Sequence, residues 1–353
     1  MKALVTGATG FIGSHVARAL VEAGHEVTIL RRASSPTANL EGLAVRHALG
    51  DLADEASLRE AVRGQDALFH VAGLYALWAR DRRIFWETNV EGTRRILRAA
   101  AEAGVRRIVY TSTVGAVRGS ARGEIADESS AFNLEVTGDP YVLSKRRAEE
   151  VALELAAAGA PVVVVCPAGP LGPGDIKPTP TGELIVKFVN RQLPGYTDGG
   201  ANFVDVRDVA AGHLLAYARG RVGERYILGG ENLSVPELMQ RLSAVTGLDA
   251  PPFKFPHGLV FFFAALLEFL ADHITHRPPL LTKANVRVLR FYLHASSAKA
   301  ERELGYTTRP LDQSIRDAIT DFAARGLIRP RFMQRVLAHW QAPRALPPSV
   351  VKG

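Results

Sequence analysis

The sequence predicts a doubly wound α/β fold, a parallel sheet covered by helices on both faces, followed by a smaller, mainly helical lobe. Three observations carry this. Through about residue 170, short apolar runs alternate with amphipathic stretches at helical spacing. The runs are near-continuous instead of alternating with polar residues, as strands buried on both faces must be. After Pro173 the alternation gives way to a Pro/Thr-rich stretch and then to helical segments reaching about Arg325.

The strand-like runs lie at 3–5, 27–30, 67–71, 108–110 and 162–165. Each is too short for a helix and is bounded by Gly, Asp or Pro. Between the first two, Ile12, Val16, Ala19, Leu20 and Ala23 recur at helical spacing, and Gly24 stops the helix. Asp54 is placed to cap the helix after the third strand. The stretch KPTPTG at 177–182 reads as a loop. The expected divisions are 1–172 for the sheet domain, with later segments returning to it, 173–325 for a substrate-binding lobe, and 326–353 for a basic amphipathic tail.

Composition excludes several classes. Apolar residues make up 47% and charged residues 22% of 353 residues, enough for a sizeable core and unlike a disordered or collagenous chain. A single cysteine, Cys166, excludes an internal disulfide framework and a cysteine-based zinc site, and no metal is expected. The formal charge is +7, from 43 basic and 36 acidic residues. Six of the basic residues (Arg325, Arg329, Arg331, Arg335, Arg344, Lys352) fall after residue 324 with no acidic one, which leaves the first 324 residues at +1. A nucleic-acid reader places its basic stripe on the folded domain, so no nucleic-acid partner is expected. The glycine run begins five residues after the initial Met-Lys, too early for a signal peptide, and a cytoplasmic location is expected.

Residues 2–13 read KALVTGATGFIG, a strand, three glycines spaced G-x-x-G-x-x-G, and the start of a helix. Glycines there let the backbone approach a pyrophosphate, and the helix N-terminus offers N–H donors and a positive dipole. Gly7, Thr9, Gly10, Phe11, Ile12 and Gly13 are the candidate cradle of a Rossmann-type dinucleotide site. The second strand ends in Arg31 and Arg32, where an acidic residue would bind the ribose 2′-hydroxyl of NAD. Guanidinium groups suit a 2′-phosphate instead. NADP(H) is therefore expected over NAD(H); NAD(H) remains the alternative if the arginines only form an exposed basic turn. Asp51, followed by Leu52 beyond the third strand, is placed to accept from the adenine amino group.

Tyr141 and Lys145 lie four apart in YVLSK, on one face of a helical segment running to about Ala158. A free tyrosine titrates near 10. A lysine ammonium about 4 Å away, at an effective dielectric near 20, is worth roughly 4 kcal/mol. That would lower the phenol by about three pKa units at most and make it a workable acid or base. Twenty-eight residues before Lys145's helix partner, a strand runs into Thr111-Ser112-Thr113, presenting hydroxyls at a carboxyl end, where open α/β sheets bind ligands.

Together with TGATGFIG, GDL at 50–52, HVAG at 70–73 and NVEGT at 89–93, this pattern resembles the extended short-chain dehydrogenase/reductase (NAD-dependent epimerase/dehydratase) family. The resemblance continues in NFVDVRDVAAGH at 202–213, YILGGENLS at 226–234 and SSAKAERELGY at 296–306. It implies Tyr141 as acid/base, Lys145 lowering its pKa and holding the nicotinamide ribose, and Thr113 binding the substrate oxygen. It also implies Val71, Ala72, Gly73, Asn89, Thr111, Pro167 and Ala168 as cofactor-lining positions. His70 is expected to be a packed residue.

Within the family, GPGDIKPTPTG at 172–182 and HVAGLYALW at 70–78 are similar to hopanoid-associated sugar epimerases, themselves similar to dihydroflavonol 4-reductases and 3β-hydroxysteroid dehydrogenases. Sugar-nucleotide epimerases often carry an Arg-Asp pair where this chain has Ala201 and Asn202, and an asparagine where it has Gly169. A buried diphosphate needs such partners. An aromatic-rich insertion at 75–86, with Trp78 and Phe85, suggests instead a pocket wall for a ring-containing or lipid-like substrate, with Tyr75, Trp78, Thr113 and Gly169 in the pocket. The leading expectation is an NADP(H)-dependent reductase or dehydrogenase acting on a hydrophobic ketone or alcohol. The alternatives are a sugar-nucleotide epimerase or dehydratase, and a non-catalytic NADP-sensing regulator.

Two further expectations concern partners. Helices around 84–103 and 141–158 match those through which many relatives form a homodimer, with Ile96 and Leu97 as candidates for its apolar face. An apolar segment at 257–274 is too short to span a bilayer. With a tail helix starting at Pro330, whose stripe is Phe332, Met333, Val336, Leu337 and Trp340, it suggests peripheral membrane contact. The opposing expectation is that the first segment lids the pocket and the tail packs on its own domain.

Overall fold

The computed structural model describes residues 1–342. Seven parallel strands form the central sheet: β1 (Lys2–Thr6), β2 (Glu26–Arg31), β3 (Arg46–Leu49), β4 (Ala67–His70), β5 (Arg107–Thr111), β6 (Val162–Pro167) and, much later, β10 (Arg225–Leu228). Their spatial order is β3-β2-β1-β4-β5-β6-β10. The chain reverses direction across the sheet between β1 and β4, and that switch point is where such sheets open a crevice for ligands. All six residues of β6, VVVVCP, are buried. Helices α1 (Phe11–Glu22), α2 (Glu55–Val62), α3 (Arg83–Trp86), α4 (Gly92–Glu102) and α5 (Pro140–Ala157) cover this sheet before the chain leaves it.

Local chemistry fixes the ends of these helices. Asp54 caps α2 by accepting from Ala56 N at 3.0 Å. Asp139 caps α5, accepting from Tyr141 N at 3.0 Å and Val142 N at 3.1 Å, with Pro140 in the first turn. Between α3 and α4 the helix widens to a π turn over Glu87–Glu91. Such turns re-aim side chains, and this one holds Asn89, which reaches the site below.

The later half builds a second sheet, a separate two-stranded pair and a second core. The strands β7 (Gly169–Leu171), β8 (Gly195–Tyr196), β9 (Gly200–Asp205), β11 (Glu231–Ser234), β12 (Phe253–Lys254) and β13 (Tyr292–Leu293) lie here. In the second sheet β9 is flanked by β11 on one edge and by β7 and β13 on the other, and β8 pairs separately with β12. Helices α6 (Pro180–Val189), α8 (Val235–Thr246), α12 (Leu311–Ala324) and α13 (Pro330–Gln341) enclose a core containing Ile185, Phe188, Leu238, Leu242, Ile315 and Val336. By contrast α7 (Val206–Arg219) and α11 (Ala298–Leu304) return to the first core with Val209, Ala216, Ala300 and Leu304. Helices α9 (His257–Leu270) and α10 (Lys283–Val288) lie together outside both cores.

Two expectations are corrected here, and one of two alternatives is decided. Ile96 and Leu97 are wholly buried in the first core, because α4 uses its whole apolar stripe against the sheet. Its outward residues Arg94 and Arg95 pair with Glu91 and Glu87. Phe85 is likewise buried, so it is core and not pocket wall. The tail helix α13 lies on α8, as the expectation that the tail packs on its own domain requires: Phe332 and Val336 are buried, Trp340 Nε1 donates to Val245 O at 2.7 Å, and His339 bonds Ala244 O at 2.9 Å. Its stripe is spent inside the protein, and only Leu337 of the five residues is exposed. Arg344 and Lys352 of the basic tail lie outside the described residues.

Candidate active site

The crevice begins at the glycine loop. Gly7 has φ +72°, and a Cβ there would stand 2.6 Å from Ala72 N; a Cβ on Gly13 would stand 2.2 Å from Gly7 O. Only glycine lets β1, α1 and the loop after β4 approach this closely. α1 has Gly10 as its N-cap residue and no side-chain cap, so its first N–H groups keep the donors and dipole that suit a pyrophosphate. The residues present therefore fit a dinucleotide. Thr9 O accepts from Asn39 Nδ2 at 3.3 Å, and Phe11 and Ile12 are half-buried at the mouth.

At the far end of the crevice, Arg31 Nε donates to His47 Nδ1 at 3.0 Å, and its Nη1 donates to Arg32 O at 3.1 Å and Ala33 O at 3.4 Å. Arg32 is exposed. Asp51 Oδ1 accepts from Ala53 N at 2.9 Å. Leu52 packs against Gly92, where a Cβ would approach its own Cβ to 2.9 Å.

The opposite wall is built on α5 and the ends of β4, β5 and β6. Lys145 is buried, and its Nζ donates to Thr111 O at 2.6 Å and Tyr110 Oη at 3.1 Å. Gly73 faces both of its neighbours: a Cβ there would lie 3.4 Å from Asn89 Oδ1 and 3.8 Å from Lys145 Nζ. Asn89 is buried and wholly engaged. Its Oδ1 accepts from Leu74 N at 2.7 Å, while Nδ2 donates to Leu74 O at 3.1 Å and Ser144 Oγ at 2.9 Å. It braces the loop after β4 against α5, with Val71, Ala72 and Gly73 on that loop. Thr111 turns its hydroxyl to His213 Nε2 at 2.9 Å and offers the site its carbonyl. Pro167 and Ala168 are buried where β6 ends, and Ala168 N donates to Leu228 O at 3.1 Å.

Tyr141 is half-buried, with its ring 4.6 Å from that of Tyr75 in an edge arrangement. The expected lowering of its pKa by Lys145 is corrected. Burial raises the Tyr141 phenol above its ordinary value, Tyr75 adds to this, and hydrogen bonding with Thr113 opposes it. The ammonium is turned into β5 and engaged by Tyr110 and Thr111, so its charge is used there. Burial in turn lowers Lys145 to about 8, against a raising influence from Glu149. Thr113 Oγ1 also accepts from Gly115 N at 3.3 Å.

Several contributors lack a sequence signal. Tyr110, the partner of Lys145, reads as an ordinary apolar strand residue. Glu149, one turn beyond Lys145, is fully buried. It accepts from Ser112 Oγ at 2.5 Å and Arg225 Nη1 at 2.8 Å, which ties α5 to β5 and β10. His70 is buried between Thr6 Oγ1 at 2.7 Å and Thr93 Oγ1 at 3.0 Å, a packed residue as expected. Thr6 Oγ1 also accepts from Ala72 N at 3.1 Å.

Of the residues expected in a substrate pocket, Tyr75 and Trp78 lie on the 75–86 segment and Gly169 on β7, which pairs with β9. Trp78 Nε1 donates to Asp272 Oδ1 at 2.8 Å, so Trp78 joins this segment to the end of α9. A Cβ on Gly169 would lie 3.1 Å from Asn202 O, leaving little space for a longer side chain. Asn202 is buried, and its amide bonds Gly230, Asn232 and Ala295. It is spent on the second sheet.

A model of the NAD dependent epimerase/dehydratase family matches residues 3–229. The chain is 42% identical over 329 residues to a Synechocystis sp. protein with the provisional name dihydroflavonol 4-reductase, covering 92% of this chain and 95% of that one. It is 35% identical over 329 residues to sterol demethylase protein B of Methylococcus capsulatus, covering 93% of this chain and 100% of the other. Among solved structures, a double mutant of the dTDP-glucose 4,6-dehydratase of Streptomyces venezuelae, with NAD bound, superposes with a TM-score of 0.72. It is 28% identical, and the match covers 93% of this chain and 100% of that one.

The buried histidines make the frame acid-sensitive. Burial holds His70 down at about 3 and His213 at about 4. In the unfolded chain a histidine titrates near 6.5. As pH falls from there toward the folded values, the unfolded state binds the additional protons and stability is lost. By about pH 5 each histidine removes about 2 kcal/mol relative to neutral pH. In urea unfolding, the stability difference between wild type and His70→Gln is expected to shift by about this amount between neutral pH and pH 5, against the wild type. A difference independent of pH would contradict the buried neutral imidazole.

Proposed function

The chain belongs to the NAD dependent epimerase/dehydratase family, as an NAD(P)-dependent oxidoreductase of the extended short-chain dehydrogenase/reductase type, and we propose that it reduces a ketone on a hydrophobic, ring-containing or lipid-like molecule to a secondary alcohol. The observation that carries this reading is the Tyr141 phenol, raised by burial and set beside Thr113 and the Tyr75 ring. A phenol held neutral is a proton donor. It suits an alkoxide, which is a far stronger base, better than it suits abstraction from an alcohol.

The glycine loop and the α1 N-terminus would hold the pyrophosphate, and Gly73 and Lys145 would border the nicotinamide ribose. When bound, the dinucleotide supplies a hydride to the carbonyl carbon. Thr113 orients the carbonyl oxygen by hydrogen bonding, and Tyr141 Oη passes its proton to the oxygen as charge develops there. Solvent at the cleft mouth restores the proton. Lys145 holds α5 against the end of β5 and keeps Tyr141 beside Thr113.

The substrate class follows from the missing diphosphate ligands. Asn202 is engaged in the second sheet, Ala201 carries no polar group, and Gly169 has no side chain. Tyr75 instead offers a half-exposed aromatic face beside Tyr141. The names of the Synechocystis and Methylococcus relatives, dihydroflavonol 4-reductase (a provisional name) and sterol demethylase protein B, accord with polycyclic substrates. Among cofactors, the Arg31–Arg32 pair favours NADP(H).

A panel of hydrophobic ketones and nucleotide sugars, followed by NADPH absorbance and product analysis, tests this reading. Ketones should consume NADPH and yield alcohols, and Tyr141→Phe should lower turnover by about 10²- to 10⁴-fold with cofactor still bound. Isomerised nucleotide sugar without net NADPH consumption would contradict it.

Cofactor preference has its own test. Arg31→Ala with Arg32→Ala should weaken NADPH binding by about 10- to 100-fold and leave NADH nearly unchanged, as loss of charge-assisted bonds to one phosphate requires. Equal affinity of the wild type for both would contradict the assignment.

A further inference from the structure

α9 continues through a π turn (Ala271–Thr275) into one apolar helix, His257–Thr275, of which 17% is buried. At 1.5 Å per residue it is about 28 Å long, which corrects the expectation that this segment is too short to span a bilayer. Its inner face is narrow: Ala264, Glu268 and Ala271 are its buried residues. Its outer face carries Leu259, Phe262, Phe263, Leu266 and Phe269, each between 45% and 64% exposed. Their spacing places them in one stripe. Ile274 and Leu280 extend the exposed apolar surface beyond the helix. A patch of this kind marks an interaction surface.

The charges around it identify the partner. From residue 250 to 300 the acidic residues are Glu268 and Asp272, and both are engaged by the fold. Glu268 accepts from Arg82 at 2.9 Å and Lys283 N at 2.8 Å, and Asp272 accepts from Trp78. Of the basic residues in the same stretch, Lys254 and Lys299 are paired with Asp198 and Glu224, which leaves Arg277, Lys283, Arg287 and Arg290. Arg277, Arg290, His273 and His276 are exposed, and Arg287 lies 5.6 Å from the Phe261 ring. A second copy on the stripe would set two basic rims against each other. An anionic lipid surface takes both the apolar stripe and the rim. The bonds of Glu268 and Asp272 also hold the helix to the fold, which suits lying in the headgroup layer and not crossing the bilayer.

We propose that α9 docks the protein on an anionic membrane and that a membrane-dissolved ketone enters the cleft beside it. The entry route rests on the reductase reading. α9 is fastened through Trp78 and Arg82 to the segment whose Tyr75 touches Tyr141, so the docked helix and the cleft wall are one assembly. The tail stripe takes no part, being buried on α8.

Flotation of the full chain with vesicles of phosphatidylcholine, alone or with phosphatidylglycerol, tests the docking. The chain should float with the anionic vesicles at low salt and be released by high salt. Phe262→Ser with Phe263→Ser should lower partitioning about tenfold or more while keeping wild-type turnover of a water-soluble ketone. Docking is overturned if the wild type stays at the bottom of the gradient, or if the double variant floats equally well. It is also overturned if sedimentation shows a dimer that the double variant dissociates and no vesicle binding. Flotation without any NADPH-dependent turnover would instead count against the reductase reading and leave the docking standing.

Discussion

A buried ammonium fastens the site. Lys145 gives two hydrogen bonds to β5, at the Thr111 carbonyl and the Tyr110 hydroxyl, and bonds to a charged group are worth about 1.5–3 kcal/mol each. Left without them, a buried charge would cost more than they contribute. Helix α5 therefore has one acceptable height and rotation on the sheet. Tyr141 sits one turn earlier on the same face, and that turn is fixed by the Asp139 cap. The opposition of Tyr141 to Thr113 follows from the placement of Lys145.

The same economy extends outward. Glu149 is a buried carboxylate answered by Arg225, Ser112 and, at 3.6 Å, Arg146. Arg225 belongs to β10, the strand that reaches the sheet after the chain has visited the second lobe. The sheet edge and the second lobe are thus locked to the helix that carries the site. The loop after β4 is held by Asn89 on one side and by Thr6 and His70 on the other, which keeps Gly73 open toward Lys145. Buried polar groups here are satisfied in pairs across elements, so the crevice has rigid walls before any ligand arrives.

Much of this was legible in the sequence because it depends on local rules. The glycine spacing, the Val-rich strands, the Asp54 cap and the Tyr141–Lys145 helix face need only backbone sterics and helical period. The choice of partners was not legible. Whether Lys145 meets Tyr141 or Tyr110 depends on how α5 lies on β5, and nothing in YVLSK encodes that. Apolar stripes were ambiguous for a related reason: Ile96, Leu97, Phe332 and Val336 face inward, whereas Phe262, Phe263 and Phe269 face outward. Periodicity reveals a stripe, and only tertiary packing decides what covers it. Asn202 was read as the loss of a diphosphate contact; the structure adds that it is a structural brace.

The proposed reductase role requires this frame to direct a hydride from the bound dinucleotide and a proton from Tyr141 to opposite ends of one carbonyl. The most direct measurement is isotope tracing with NADPH deuterated at the transferable position of nicotinamide C4, followed by mass spectrometry of the product. One deuterium is expected on the carbinol carbon of every alcohol formed, with NADP⁺ produced in equal amount. A product altered in configuration or dehydrated, carrying no deuterium and leaving the NADPH pool unchanged, would contradict it.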